Sequence, residues 1–86
     1  MDHCYYTFRS ITRGQLALRY LQAADIAAIL MRTPKALATG GCGYAIRVRR
    51  ADAIAADEVF FSNAVQFQRR FFERNGRFWE AGNGIS

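Results

Sequence analysis

Apolar and polar positions fall into short blocks whose period changes along the chain. Tyr5-Tyr6-Thr7-Phe8 is an aromatic, β-prone run and predicts a first strand. Ser10 or Thr12 can cap the helix that follows. Over Ile11–Ala24, Ala17, Tyr20, Leu21 and Ala24 return at helical spacing, while Arg13, Gln15, Arg19 and Gln22 take other positions. Asp25 interrupts that period. Ile26–Met31 is then a continuous apolar run, the pattern of a strand buried on both faces. Pro34 ends it, because proline donates nothing to a sheet ladder. Lys35–Gly43, with glycines at 40, 41 and 43, reads as a loop. After it, Tyr44–Arg49 alternates apolar and charged residues as a half-exposed strand does.

The second half is more ambiguous. Asp52–Asn63 reads as the start of a long helix capped by Asp52, with an extra strand at Glu58–Ser62 as the alternative. Further on, Ala64, Phe67, Phe71 and Phe72 share a helical face, and Gly76 stands where a C-terminal cap glycine belongs. A helix is therefore expected there. The competing reading makes Asn75-Gly76 a hairpin turn between two aromatic strands. Arg77-Phe78-Trp79-Glu80 forms the last strand. The order is βαββαβ, which predicts a ferredoxin-like α+β fold: an antiparallel sheet with two helices on one face and the other face open to a partner or ligand. At 86 residues the whole chain, 1–86, is expected to form a single domain.

Composition supports a packed fold rather than a disordered one, since 51% of residues are hydrophobic and 14% aromatic. A core this small can leave apolar surface over, for which a homodimer is a natural outlet. The formal charge is +5, and of the twelve Lys and Arg residues only Lys35 is lysine. Arginine makes planar, paired contacts to carboxylates and phosphates, so acidic or anionic partners suit this chain. The two cysteines, Cys4 and Cys42, are too few for a disulfide scaffold and too far apart for a CxxC motif. No run approaches the roughly 18 apolar residues of a membrane span, and MDHCYYTFRS lacks the pattern of a secretory signal. A cytoplasmic location with free thiols is expected.

The residues from Thr33 to Tyr44 carry the most chemistry. A thiolate is the competent sulfur nucleophile and forms where cations or backbone N–H groups stabilise it. Gly40, Gly41 and Gly43 strip bulk from around Cys42 and allow turns that aim several N–H groups at one anion. Arg32, Lys35 and Arg47 flank the loop and can supply positive charge. Together these describe an activated cysteine. The plainer alternative is a small residue that fits a glycine turn and does nothing more.

Pro34, Lys35, Thr39, Cys42-Gly43 and the strand Tyr44–Val48 resemble the pattern of a family of small domains described as selenium/sulfur carrier protein-like. The strand and helix Tyr5–Ala24 and a helix end at Phe71–Gly76 fit the same pattern. The stretch Ala51–Gln66 is longer than that family's link into its second helix. The resemblance implies that Cys42 carries sulfur or selenium as a persulfide or selenosulfide, with Gly43 keeping the approach open and basic neighbours favouring the anion. It implies a carrier or accessory protein working between protein donors and acceptors rather than a stand-alone enzyme. The alternative from another class is a non-catalytic interaction or regulatory module with a structural cysteine.

Other candidates are thinner. Gly43-Tyr44-Ala45-Ile46 partly matches an RNA-binding RNP1 strand, with Tyr5-Tyr6 as its neighbour, but Ile46 and Arg49 stand where aromatics are wanted. Nucleic acid is not expected as a partner. His3 is the only histidine, which leaves too few ligands for a zinc site or a Cys/His pair. No cofactor fingerprint is present, and none is expected. Asp57-Glu58 reads as a helix N-terminal charge pair or a solvated face, Arg69-Arg70 as a solvated face, and the phenylalanines from Phe60 onward as core or as a dimer interface.

Overall fold

The computed structural model describes residues 2–38 and 43–81. His3–Phe8 forms strand β1, Ile11–Ala23 helix α1, Ala28–Arg32 strand β2, Tyr44–Arg49 strand β3, Ala53–Ser62 helix α2, Arg70–Arg74 strand β4 and Arg77–Glu80 strand β5. The strands make one antiparallel sheet in the order β2-β3-β1-β4-β5. The first four strands and two helices are the ferredoxin-like βαββαβ arrangement, and β5 adds a fifth strand beside β4.

Local signals explain the elements of the first half. Ser10 caps α1, its hydroxyl accepting from the Arg13 N–H at 3.2 Å. The helix ends where Asp25 turns left-handed (φ 59°) and the Ile26 N–H reaches back to the Leu21 carbonyl at 2.9 Å. Leu21, Ala17 and, from α2, Ala53, Ala56 and Phe60 then pack on Cys4, Tyr6, Phe8, Ile46 and Val48, the alternate residues of β1 and β3. The Tyr6 ring stands edge-on to Phe60 and Phe67, each with its centroid 4.9 Å away.

Three expectations from the sequence need correction. Ile26–Met31 is not a strand buried on both faces: β2 begins at Ala28, pairs only with β3, and leaves Ile29 49% exposed at the sheet edge. The apolar run reflects Ile26 entering the core before the strand starts.

The helix expected from Asn63 to Gly76 does not form. Helix α2 stops when Ala64 adopts φ 54° and the Val65 N–H bonds back to the Phe60 carbonyl at 2.8 Å. Residues 70–80 are the hairpin of the competing reading. Asn75 (φ 52°) and Gly76 (φ 81°) both lie in the left-handed region that a two-residue type I′ turn requires. The Gly76 N–H donates to Glu73 Oε2 at 2.9 Å, and His3 Nδ1 lies 2.9 Å from Glu73 Oε1, tying the turn to β1. The Gly76 N–H first, and His3 second, hold the Glu73 carboxyl below its ordinary pKa. Nothing crowds Gly76, so Gly76→Ala tests backbone conformation alone. A loss of about 1 kcal/mol is expected by urea titration; an unchanged midpoint would contradict the turn.

The sheet face opposite the helices is not fully open. The 3-10 turn Lys35–Leu37 folds back over it, burying Leu37 to 1% exposure with Tyr5, Ala45 and Phe71, while Met31 and Phe78 pack at the margin. The segment leading into the cysteine loop is therefore anchored across this face. Among the described residues, no helix is long and apolar enough to cross a membrane.

Candidate functional site

The loop between β2 and β3 leaves and re-joins the sheet at the end where β1 runs into α1. Gly43 fixes its return. The Gly43 N–H donates to the Phe8 carbonyl and the Gly43 carbonyl accepts from the Thr33 N–H, both at 3.2 Å. Beside it, the Gln68 N–H donates to the Thr7 carbonyl at 2.7 Å and the Thr7 N–H to the Arg69 carbonyl at 2.9 Å, so the segment leading into β4 reaches the same end. Residues from β1, the start of α1, β2, β3 and the link after α2 therefore converge on the base of this loop.

Of the residues singled out for the site, Thr39, Gly40, Gly41 and Cys42 lie outside the described residues. Arg32 closes β2 opposite Tyr44, its guanidinium 5.5 Å from the Tyr44 ring centroid, and it is exposed. Lys35 opens the 3-10 turn and is also exposed. Arg47 is set apart from Gly43: it lies four residues along β3, about 13 Å, opposite Tyr5 and Ile29. Its nearness in sequence, four residues from Gly43, groups it with the loop because sequence separation alone does not show how far a strand carries a side chain away.

Glycine at 43 is not explained by the backbone. Its φ is not in the left-handed region, and an added Cβ would meet only the Arg9 carbonyl oxygen, at an ordinary 3.5 Å.

Cys4 is a different kind of thiol. It is fully buried on the helix side of β1, and burial pushes its pKa up to about 11, against the opposing pull of Tyr6 and Arg70. A thiol held protonated in the core is a poor nucleophile. It is also far from the loop, because Cys4 pairs with Val48, five residues and about 16 Å along the strand from Gly43.

The Cys4 shift has a signed consequence for stability. Below pH 9 both folded and unfolded chains keep the proton, and the contribution is fully present. Between pH 9 and 11 the unfolded chain loses it while the folded chain retains it, so stability falls as pH rises. About 3 kcal/mol should be lost across that window. Urea midpoints measured from pH 8 to 11 should fall less steeply for Cys4→Ala than for the native chain; parallel curves would show that Cys4 is not protected.

The sequence missed one buried polar cluster. The Tyr6 hydroxyl lies 2.5 Å from Asp57 Oδ1 and 3.2 Å from the Ala53 carbonyl, and Arg70 Nη1 is paired with Asp57 Oδ2. Arg70 Nη2 donates to the Ala81 carbonyl at 3.3 Å. Burial works against the Arg70 charge, but Asp57 outweighs it and holds the guanidinium above its ordinary pKa. Burial first, then Cys4 and Asp57, pushes the Tyr6 hydroxyl far up as well. Asp57 and Arg70 are thus structural partners rather than solvated charges. No sequence signal links them, because they meet only when α2 and β4 pack around Tyr6.

Two further readings can be weighed against this geometry. An RNA-binding sheet needs exposed aromatics, yet Tyr5 is 6% exposed beneath Leu37 and Tyr6 faces the helices. Among the described residues, no cluster of His, Cys, Asp and Glu could hold a metal ion.

In comparison with protein families, the model described as "Putative Se/S carrier protein-like" aligns with residues 3–71. The chain belongs to this family. The match covers β1 through α2 and the start of β4, so the hairpin's second strand, β5, lies beyond it. It also runs through residues 51–66, which hold the second helix itself rather than an overlong link to one. The helix end expected at Phe71–Gly76 is replaced by β4 and its turn. No curated protein and no solved structure matches the chain.

Proposed function

We propose that this Se/S carrier-like protein is a thiol-based sulfur or selenium carrier with Cys42 as the attachment site. Family membership is the observation that carries the reading. The burial of Cys4 supports the choice of residue: of the chain's two cysteines, one is locked in the core, and thiol chemistry falls to Cys42. Gly40, Gly41 and Gly43 keep bulk away from the sulfur, and Thr39 belongs to the same loop. Arg32 and Lys35 contribute positive potential that favours the thiolate, with Arg47 a more distant contributor.

In the forward step the Cys42 thiolate attacks the terminal sulfur of a donor persulfide. A new S–S bond forms on Cys42, the donor's own S–S bond breaks, and the donor leaves as a thiolate with the electron pair. An acceptor protein's thiolate then takes the terminal sulfur in the same way and regenerates Cys42. No external oxidant or reductant is consumed. Selenium follows the same scheme as a selenosulfide.

The test is the alkylation rate of each cysteine against pH, read by mass spectrometry on the intact fold. Cys42 should react with a midpoint below a free thiol's value of about 8.5, while Cys4 stays protected until the chain unfolds. A Cys42 that is unreactive, or that titrates above a free thiol, would leave a structural cysteine and remove the carrier reading.

A further inference from the structure

We infer that the cleft beside the base of the cysteine loop binds the carboxylate of a small anionic thiol, the low-molecular-weight persulfide that donates sulfur to Cys42. The inference rests on the carrier reading for its purpose, but its structural basis is separate. The cleft has a volume of about 340 Å³ and is lined by Phe8, Arg9, Arg13, Gln66, Phe67 and Gln68. That is within the range of small-ligand sites, roughly 300–1,000 Å³. Phe67 supplies partly exposed apolar surface, Phe8 is buried to 1% exposure, and the rest of the lining is polar or basic. No residue of the lining is acidic.

The two arginines matter because nothing in the described fold occupies their guanidinium groups. Arg49, Arg69, Arg70 and Arg74 have acidic partners, whereas among the described residues Arg9 and Arg13, like Arg19, Arg47 and Arg77, have neither a side-chain hydrogen bond nor an ion pair; Arg9 and Arg13 are the two of these that line this cleft. Both are exposed and four residues apart. A pair of unengaged guanidinium groups in one cleft with the partly exposed Phe67 suits a ligand with a carboxylate at one end and an aliphatic body. Gln66 adds an amide that can donate to the same oxygens or accept from a peptide N–H.

Position gives the cleft its role. Gly43 is hydrogen-bonded to the Phe8 carbonyl and lies against the Arg9 carbonyl, and these two residues form the cleft wall. A donor held by its carboxylate at Arg9 and Arg13 is thus held next to the residue that follows Cys42. The transfer is the balanced exchange described above: the donor's S–S bond breaks, one forms on Cys42, and the small thiolate departs with the electron pair.

Two measurements test this. In the first, a non-reactive anionic probe, S-methylglutathione, is titrated into the protein and into Cys42→Ser while backbone amide shifts are followed. Saturable shifts at Arg9, Arg13 and Gln66 in both proteins are expected; unchanged shifts at these residues overturn the cleft whatever Cys42 does. In the second, Cys42 is loaded from glutathione persulfide and from the neutral persulfide of 2-mercaptoethanol, and the ratio of the two rates is taken. The ratio should be about tenfold in favour of the anionic donor at low salt and should collapse towards one near 1 M salt. It should collapse equally in the Arg9→Gln, Arg13→Gln double variant and persist largely in the Arg9→Lys, Arg13→Lys variant. A ratio insensitive to salt and to both variants overturns the proposal. Probe binding without loading from either persulfide would leave the anion site standing and remove the carrier reading instead.

Discussion

Asp57→Ala is expected to be among the most destabilising single substitutions in this chain, lowering the unfolding free energy by about 3 kcal/mol. The side chain of Arg70 is 11% exposed and that of Asp57 25%, so the pair is largely withdrawn from water. Removing the carboxylate leaves the guanidinium with only the Ala81 carbonyl and the Phe72 ring, whose centroid is 5.4 Å away. It also deprives the Tyr6 hydroxyl of its shorter contact and leaves it the Ala53 carbonyl at 3.2 Å. An unpaired buried charge costs about 3–5 kcal/mol, and the lower end applies because water reaches Asp57. Asp57→Asn keeps an acceptor for Tyr6 and should lose about half as much. Asp57→Ala combined with Arg70→Leu should recover much of the loss, since an apolar pair leaves no charge stranded. Urea titration of the three variants decides it. If the double variant is as unstable as the sum of its parts, the cluster's value lies in shape rather than charge pairing.

Cys42→Ser has the largest expected effect on function with the least on stability. Treated with a small persulfide, the native chain should gain one sulfur atom on the Cys42 peptide and none on the Cys4 peptide. The serine variant should gain none at all, because a hydroxyl is not ionised at neutral pH and forms no persulfide. Its unfolding free energy by urea titration should stay within about 0.5 kcal/mol of the native value. Cys4→Ala should behave in the opposite way, loading normally while losing stability through a small cavity. If Cys42→Ser still takes up sulfur, or if the sulfur appears on Cys4, the assignment of the carrier residue fails.

Some of this molecule could be read without its fold. The strand Tyr44–Arg49 and the Ser10 cap of α1 stand where the sequence places them, because alternation and capping are signals that neighbouring residues carry by themselves. The resemblance in Pro34, Lys35 and Cys42-Gly43 pointed to the family that the match over residues 3–71 establishes. Residues 64–76 were misread because Phe67 and Phe71 are four apart, a spacing that serves one face of a helix and one face of a strand equally. What decides between them is remote: Phe71 pairs with Tyr5, Phe72 with Cys4, and the left-handed Ala64 ends α2 before the phenylalanines are reached.

The sequence by itself determined the ferredoxin-like α+β class, the net charge of +5 and the family, because composition, period and local motif are properties of adjacent residues. Tertiary structure alone decided that Cys4 is shielded, where Arg47 lies, and that Leu37 lids the far face of the sheet. It also brought together Tyr6 and Asp57, 51 residues apart, and Arg70 beyond them. Burial and pairing depend on which elements meet, and no spacing along the chain encodes that meeting.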